Sequence, residues 1–224
     1  QKLKFILDYS QEDNIFNLFL LIYKNINEEM LISLLNDIKD LFLKENMINK
    51  IYPFLEELRK NYDKKSTLVF KSLVEYYNII LEKFEDNSPV LYSLAYCYNI
   101  VGNTDKSKEL FEKIVKENTS EVDSLHNIAS IYLNDKNINR AEETYKKVLE
   151  SDPFHYESYI SLTKLELLKG NINEAEKYLE RLMEIDPDNK MINNLSFEIA
   201  MQKDDTKLAS DMYSAMLFYS KRIL

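Results

Sequence analysis

Glycine and proline are nearly missing from this chain: 2 Gly and 4 Pro in 224 residues. Average usage would supply about 27 of the two together. A β-sandwich needs glycine-rich turns, and a doubly wound dinucleotide fold needs a glycine-rich phosphate loop, so the shortage argues against both. Tryptophan is absent, cysteine occurs once, at Cys97, and histidine twice, at His126 and His155. One cysteine cannot make an intramolecular disulfide, so no disulfide framework underlies the fold. The two histidines lack the i, i+4 spacing of a helical metal pair, and no third ligand supports them, so no metal or cofactor is expected. Basic charge is also short, with 29 Lys and Arg against 38 Asp and Glu and a net charge of −9. A protein that depends on phosphate contacts shows the opposite balance, so nucleic acid is not an expected partner. The most apolar stretch, Ile15 to Tyr23, is interrupted by Asn17 and falls far short of the ~20 residues of a spanning helix. No membrane insertion is expected, and no removable signal peptide is recognisable. These features favour a cytoplasmic setting, unless a targeting segment has been removed.

What is present reads as helix. Apolar residues make up 45% of the chain and charged residues 30%, enough apolar surface to offset the ordering entropy of a folded core. Three segments, Leu91 to Ser120, Leu125 to Phe154 and Tyr159 to Asp188, align without gaps at a spacing of 34 residues. Their central turns read Gly102-Asn103-Thr104-Asp105, Lys136-Asn137-Ile138-Asn139 and Gly170-Asn171-Ile172-Asn173, so both glycines fall at one repeat position. Small residues recur before the turn, at Ala95, Ala129 and Thr163, and after it, at Ser107, Ala141, Ala175 and Ala209. An aromatic or leucine follows four residues later at Phe111, Tyr145, Leu179 and Tyr213, and Pro153 and Pro187 close two copies. Within each segment the apolar positions recur at three and four, one face of a helix. The small residues allow two helix backbones to approach closely, and each hairpin must stack on neighbours to complete its core.

The period, the helix–turn–helix pattern and the closing proline resemble the tetratricopeptide repeat family. Leu91, Leu125 and Tyr159 stand where its usual tryptophan would be. The resemblance implies an all-α fold, an αα-hairpin solenoid in a right-handed superhelix, here with about 12 helices. It covers 88–188 as three clear repeats. Residues 1–87 read as an irregular helical part, degenerate repeats or a cap, with helices near 12–24, 28–45, 49–62 and 67–85. Residues 189–224 read as a degenerate repeat and C-terminal helix, with Phe197 where a small residue is expected. Ser66 is placed as the cap of the helix at 67, and Pro53 in the first turn of the helix at 49.

Signatures of catalysis are missing. Glu142-Glu143 and Asp204-Asp205 are adjacent pairs, and adjacent helical residues point apart. Two distant glycines cannot supply a phosphate loop or a nucleophile elbow. Cys97 lies mid-helix and reads as a buried structural thiol. The chain is therefore not expected to be an enzyme.

By the resemblance, the first helix of each repeat lines the concave face. That register places Tyr92, Tyr96, Asn99, His126, Asn127, Ser130, Ile160, Ser161 and Lys164 there as a partner-binding surface. Tyrosine offers a large rigid contact area with a hydroxyl, and Asn127 matches an asparagine that bonds ligand main chain in peptide-binding relatives. The Lys, Arg and Asn cluster that holds heat-shock chaperone C-termini is matched only at Asn127, which argues against that ligand. An apolar, neutral or basic ligand suits the face better. The expected function is a protein-interaction module or scaffold that holds a peptide or helix of a partner in its concave groove. The alternatives are a structural subunit or domain of a larger assembly, or a regulatory domain of a longer protein. An assembly subunit would touch its neighbours through its ends, and Met216, Leu217, Phe218 and Leu224 would then provide self-association.

Overall fold

The computed structural model describes residues 22–45, 48–85, 87–119, 121–187, 189 and 191–220, without the side chains of 40–50 and 215–220. The described residues are helical throughout, joined by short turns. In chain order the helices are α1 (Glu28–Glu45), α2 (Ile48–Asn61), α3 (Thr67–Lys83), α4 (Ser88–Ile100), α5 (Thr104–Glu117), α6 (Val122–Asn134), α7 (Ile138–Ser151), α8 (Tyr156–Lys169), α9 (Ile172–Ile185), α10 (Met191–Gln202) and α11 (Thr206–Ser220). Of the helix expected near 12–24 only residues 22–24 are described; 22 and 23 are helical and 24 begins a turn. The side chains of Met216, Leu217 and Phe218, and all of Leu224, lie outside the described residues. The chain divides into two compact units, Gln1–Glu117 and Asn118–Leu224.

In the first unit, apolar rows of four helices share one core: Leu31, Leu35 and Ile38 of α1, Phe54, Leu55 and Leu58 of α2, Phe70, Leu73 and Tyr77 of α3, and Val90, Leu94 and Cys97 of α4. Two expectations are corrected here. Pro53 lies inside α2, not in its first turn. Burial of Ile51, Phe54, Leu55 and Leu58 along one face extends the helix to Ile48, although proline cannot donate to the carbonyl four residues back. Ser66 makes no side-chain cap bond to α3; its hydroxyl donates to Glu28 instead. Donation to that carboxylate, a strong charge-assisted bond, fixes the hydroxyl toward α1, and its oxygen does not accept from the first N–H groups of α3. Asn87 does cap α4, accepting from the Val90 N–H at 3.2 Å, with Pro89 in the first turn.

The second unit consists of the hairpins α6–α7, α8–α9 and α10–α11. Ala129, Ala141, Tyr145, Leu162 and Leu165 form one core cluster. Tyr159, Ala175, Leu179, Leu182, Ile192, Leu195 and Ile199 belong to the next. The small residues Ala95, Ala129, Thr163, Ser107, Ala141 and Ala175 have no exposed surface, as a close helix crossing requires.

The hairpin turn is one motif repeated at a 34-residue spacing. Gly102, Lys136, Gly170 and Asp204 all take positive φ, at 86°, 60°, 76° and 58°. The next residue's N–H reaches back to the carbonyl five positions earlier each time: Asn103 to Tyr98 (2.8 Å), Asn137 to Tyr132 (2.8 Å), Asn171 to Glu166 (2.8 Å) and Asp205 to Ala200 (2.9 Å). This is the Schellman closure of a helix C-terminus, which satisfies its orphan carbonyls. Asn103, Asn137 and Asp205 then cap the following helix by accepting from N–H groups three residues on, at 3.0 to 3.5 Å.

Candidate functional site

Tyr92, Tyr96 and Asn99 lie along one face of α4 at i, i+4 and i+7, and all three are half-buried. The two rings are joined by a residue of α2. The Arg59 guanidinium sits 5.5 Å from the Tyr92 centroid and 5.3 Å from that of Tyr96. The Lys64 ammonium lies 5.5 Å from the Tyr96 centroid. The edge of Tyr92 also meets Phe111 at 5.5 Å and 66°.

Arg59 is held from behind by Glu56, which accepts from its Nε at 3.1 Å and its Nη2 at 2.9 Å. The same carboxylate accepts from the Tyr77 hydroxyl at 2.7 Å and the Ser93 hydroxyl at 2.6 Å. Burial would raise the Glu56 pKa, but the bonds from Arg59, Ser93 and Tyr77 outweigh it and hold the carboxyl below its usual range. Burial, with Glu56 beside it, pushes the Tyr77 hydroxyl well above its ordinary value. Three helices thus fix one ion pair, and the ion pair fixes the two tyrosine rings.

In the second unit the predicted residues divide. His126 is committed to packing: its Nδ1 lies 2.9 Å from the Ser158 hydroxyl, and its ring stands 5.2 Å from Tyr145 and 5.0 Å from His155. Burial, reinforced by the charge of His155, pushes its pKa down to about 4. Burial also opposes charge on His155, but Asp123 and Glu157, each 3.7 Å from its Nε2, outweigh that and hold its pKa above the ordinary value. Ser130 turns to the same place, with its hydroxyl 2.9 Å from the Tyr145 hydroxyl. Ile160 packs against the α8–α9–α10 cluster. Asn127, Ser161 and Lys164 are half-exposed, and the Asn127 amide donates to the Asp123 carbonyl at 2.7 Å.

The pattern missed Arg59, Glu56 and Lys64. A signal for Arg59 existed: positions 59, 93, 127 and 161 form one 34-residue series that ends on two predicted inner-face residues. The irregular sequence around it hid the register.

The arrangement presents fixed aromatic rings beside polar side chains. Burial raises the Cys97 thiol pKa, so no thiolate is available. Among the described residues no group of three or more His, Cys, Asp or Glu could hold a metal ion, and no helix is long and apolar enough to cross a membrane.

Family models described as tetratricopeptide repeat match residues 88–120 and 132–196. None of the curated proteins matches the chain. Among solved structures, MamA is similar at 16% identity and a TM-score of 0.58, covering 71% of this chain and 93% of that one. A tetratricopeptide repeat protein from Parabacteroides merdae ATCC 43184 is similar at 16% identity and a TM-score of 0.62, covering 80% of this chain and 67% of that one. A thermophilic TPR protein in Thermus thermophilus is similar at 14% identity and a TM-score of 0.57, covering 66% and 82%. At these identities the structural likeness establishes the fold. With the 34-residue period, the recurring left-handed turn and the two family matches, this chain is a tetratricopeptide-repeat protein.

Proposed function

We propose that this chain is a protein-interaction scaffold whose inner, first-helix faces bind a peptide or helix of a partner protein. The observation that carries the reading is the Tyr92–Arg59–Tyr96 stack. Two half-buried rings are fixed in place by an ion pair behind them, so little side-chain freedom is lost when a ligand settles on them. Tyrosine at such a position supplies apolar area and a hydroxyl together. Arg59 and Lys64 already lie against these rings, so an apolar or neutral ligand segment fits this spot better than a basic one. Asn127, Ser161 and Lys164 give the second unit a separate polar face of the same kind. Affinity for a short segment is expected near micromolar, about −8 kcal/mol.

The test is affinity capture from source-cell lysate with the wild type, a Tyr92→Ala/Tyr96→Ala pair and an Asn127→Ala/Lys164→Ala pair, each shown folded by circular dichroism. A protein retained by the wild type and lost by either pair supports inner-face binding. Equal capture by all three contradicts it.

A further inference from the structure

Four residues spaced 34 apart stand at the heads of successive first helices: Asn87, Glu121, His155 and Asn189. The Asn87 side chain accepts from the Val90 N–H at 3.2 Å, and that of Asn189 from the Met191 N–H at 2.9 Å. Glu121 makes no side-chain cap bond. His155 does the work of the asparagines for α8: its Nδ1 accepts from the Ser158 N–H at 3.2 Å. An amide oxygen accepts at any pH, whereas an imidazole nitrogen accepts only while it is unprotonated. Within the series, His155 therefore supplies a cap that a proton can remove.

The surroundings of the ring favour that proton. Its Nε2 lies 3.7 Å from Asp123 of α6 and 3.7 Å from Glu157 in the first turn of α8. Asp152, at the end of α7, adds further negative charge. His126 of α6, packed on Tyr145 of α7, stands 5.0 Å from the ring between centroids. Burial and the charge of His155 keep His126 neutral, its pKa pushed down to about 4. The two demands on His155 conflict. An imidazolium pairs better with the carboxylates, but its Nδ1–H then faces the Ser158 N–H, donor against donor.

We infer that His155 is a proton-operated cap at the head of α8: neutral, with its hydrogen on Nε2, it holds the Ser158 N–H; protonated, it releases that bond and pairs with Asp123 and Glu157 instead. The trade tightens the α6–α8 junction on the acid side and orders the first turn of α8 on the alkaline side. That turn leads into Ser161, so the switch sits one turn before the inner-face residues of α8. It stands on the cap geometry and holds whether or not a partner occupies that face.

The chain has two histidines, so nuclear magnetic resonance of the full chain labelled with 15N-histidine and 15N-serine resolves each ring, and His155→Asn assigns them. The titration runs from about pH 8.5 to 5.5. Neutral His155 is expected as the Nε2–H tautomer, with a midpoint above the ordinary value of about 6.5. The Ser158 amide should shift with the same midpoint. Its hydrogen exchange, corrected for intrinsic rate, should be about 3–10-fold faster on the acid side. Asp123→Asn/Glu157→Gln should lower the midpoint by about 1 pH unit. His155→Asn, which supplies the fixed acceptor found at Asn87 and Asn189, should abolish the pH dependence at Ser158. A neutral Nδ1–H tautomer, Ser158 exchange that ignores the His155 titration, or an unchanged midpoint in the carboxylate variant overturns the proposal. The wild-type titration alone decides the first two of these, whatever the variants do to folding.

Discussion

The four hairpin turns allow a quantitative comparison within one molecule. At Gly170 an added Cβ would meet no atom within 4 Å, yet φ is 76°. Any loss from Gly170→Ala is therefore conformational and not steric with neighbours. A left-handed conformation costs an L-residue about 1–2 kcal/mol, partly offset because alanine has less entropy to lose on folding than glycine, by about 0.5–1 kcal/mol. The net expectation is a destabilisation of about 1 kcal/mol. Lys136 and Asp204 already bear the left-handed cost, at φ of 60° and 58°. Lys136→Gly should therefore stabilise by roughly 0.5 kcal/mol, and Asp204→Gly by the same amount or less, since an Asp side chain tolerates this region better. Thermal denaturation followed by circular dichroism reads these changes as about 2–4 °C per kcal/mol for a chain of this size. A neutral Gly170→Ala, or a Lys136→Gly that lowers the melting temperature, would refute the reasoning.

Further predictions follow from buried groups. Glu56→Ala should destabilise by about 3–5 kcal/mol, because it strands Arg59 as an unpaired charge in the first-unit core; a Glu56→Met/Arg59→Met variant should recover most of that in urea denaturation. Ser107 is fully buried and its hydroxyl has no hydrogen-bond partner among the described residues, while Ala141 and Ala175 fill the same repeat position. Ser107→Ala should thus raise stability by about 1 kcal/mol in the same assay. For His126 the folded pKa, about 4, lies below the ordinary histidine value. The unfolded chain therefore binds a proton first, and the stabilisation, at most ~3 kcal/mol, is complete above pH 6.5 and lost as pH falls toward 4. His155 acts oppositely, its contribution being present below pH 6.5 and lost as pH rises through its raised pKa. His126→Phe should flatten the acid limb of stability against pH between about 6.5 and 4; an unchanged slope would count against the buried neutral imidazole.

Sequence and structure agree where the physics is local and repeated. The glycines at 102 and 170 mark left-handed helix ends because glycine is the residue that takes them at least cost. The small residues Ala129, Thr163, Ala141 and Ala175 mark helix crossings because a larger side chain there would hold the two backbones apart. The same turn at Lys136 and Asp204 carries no composition signal and emerges only from the 34-residue register. Ser66 has the local pattern of a cap, but that pattern does not reveal that Glu28, 38 residues away, competes for its hydroxyl. His126 and Ser130 fall on the inner-face register, yet Tyr145 and Ser158 draw them into contacts between helices, a tertiary preference that spacing along one helix cannot express. The Arg59 stack combines residues of α2 and α4 across an irregular stretch, and only continuing the repeat backwards from Asn127 would have exposed it.

The most direct test of the central claim, that partners are held by first-helix inner faces, is site-specific photo-crosslinking in source-cell lysate. A benzophenone amino acid would replace Ser161 on α8 in one variant and Glu143, an exposed residue of the second helix α7, in another. The account predicts a discrete crosslinked partner from position 161, none from 143, and loss of the former when Asn127→Ala/Lys164→Ala is added. The same partner crosslinked from position 143 and not from 161 would contradict it.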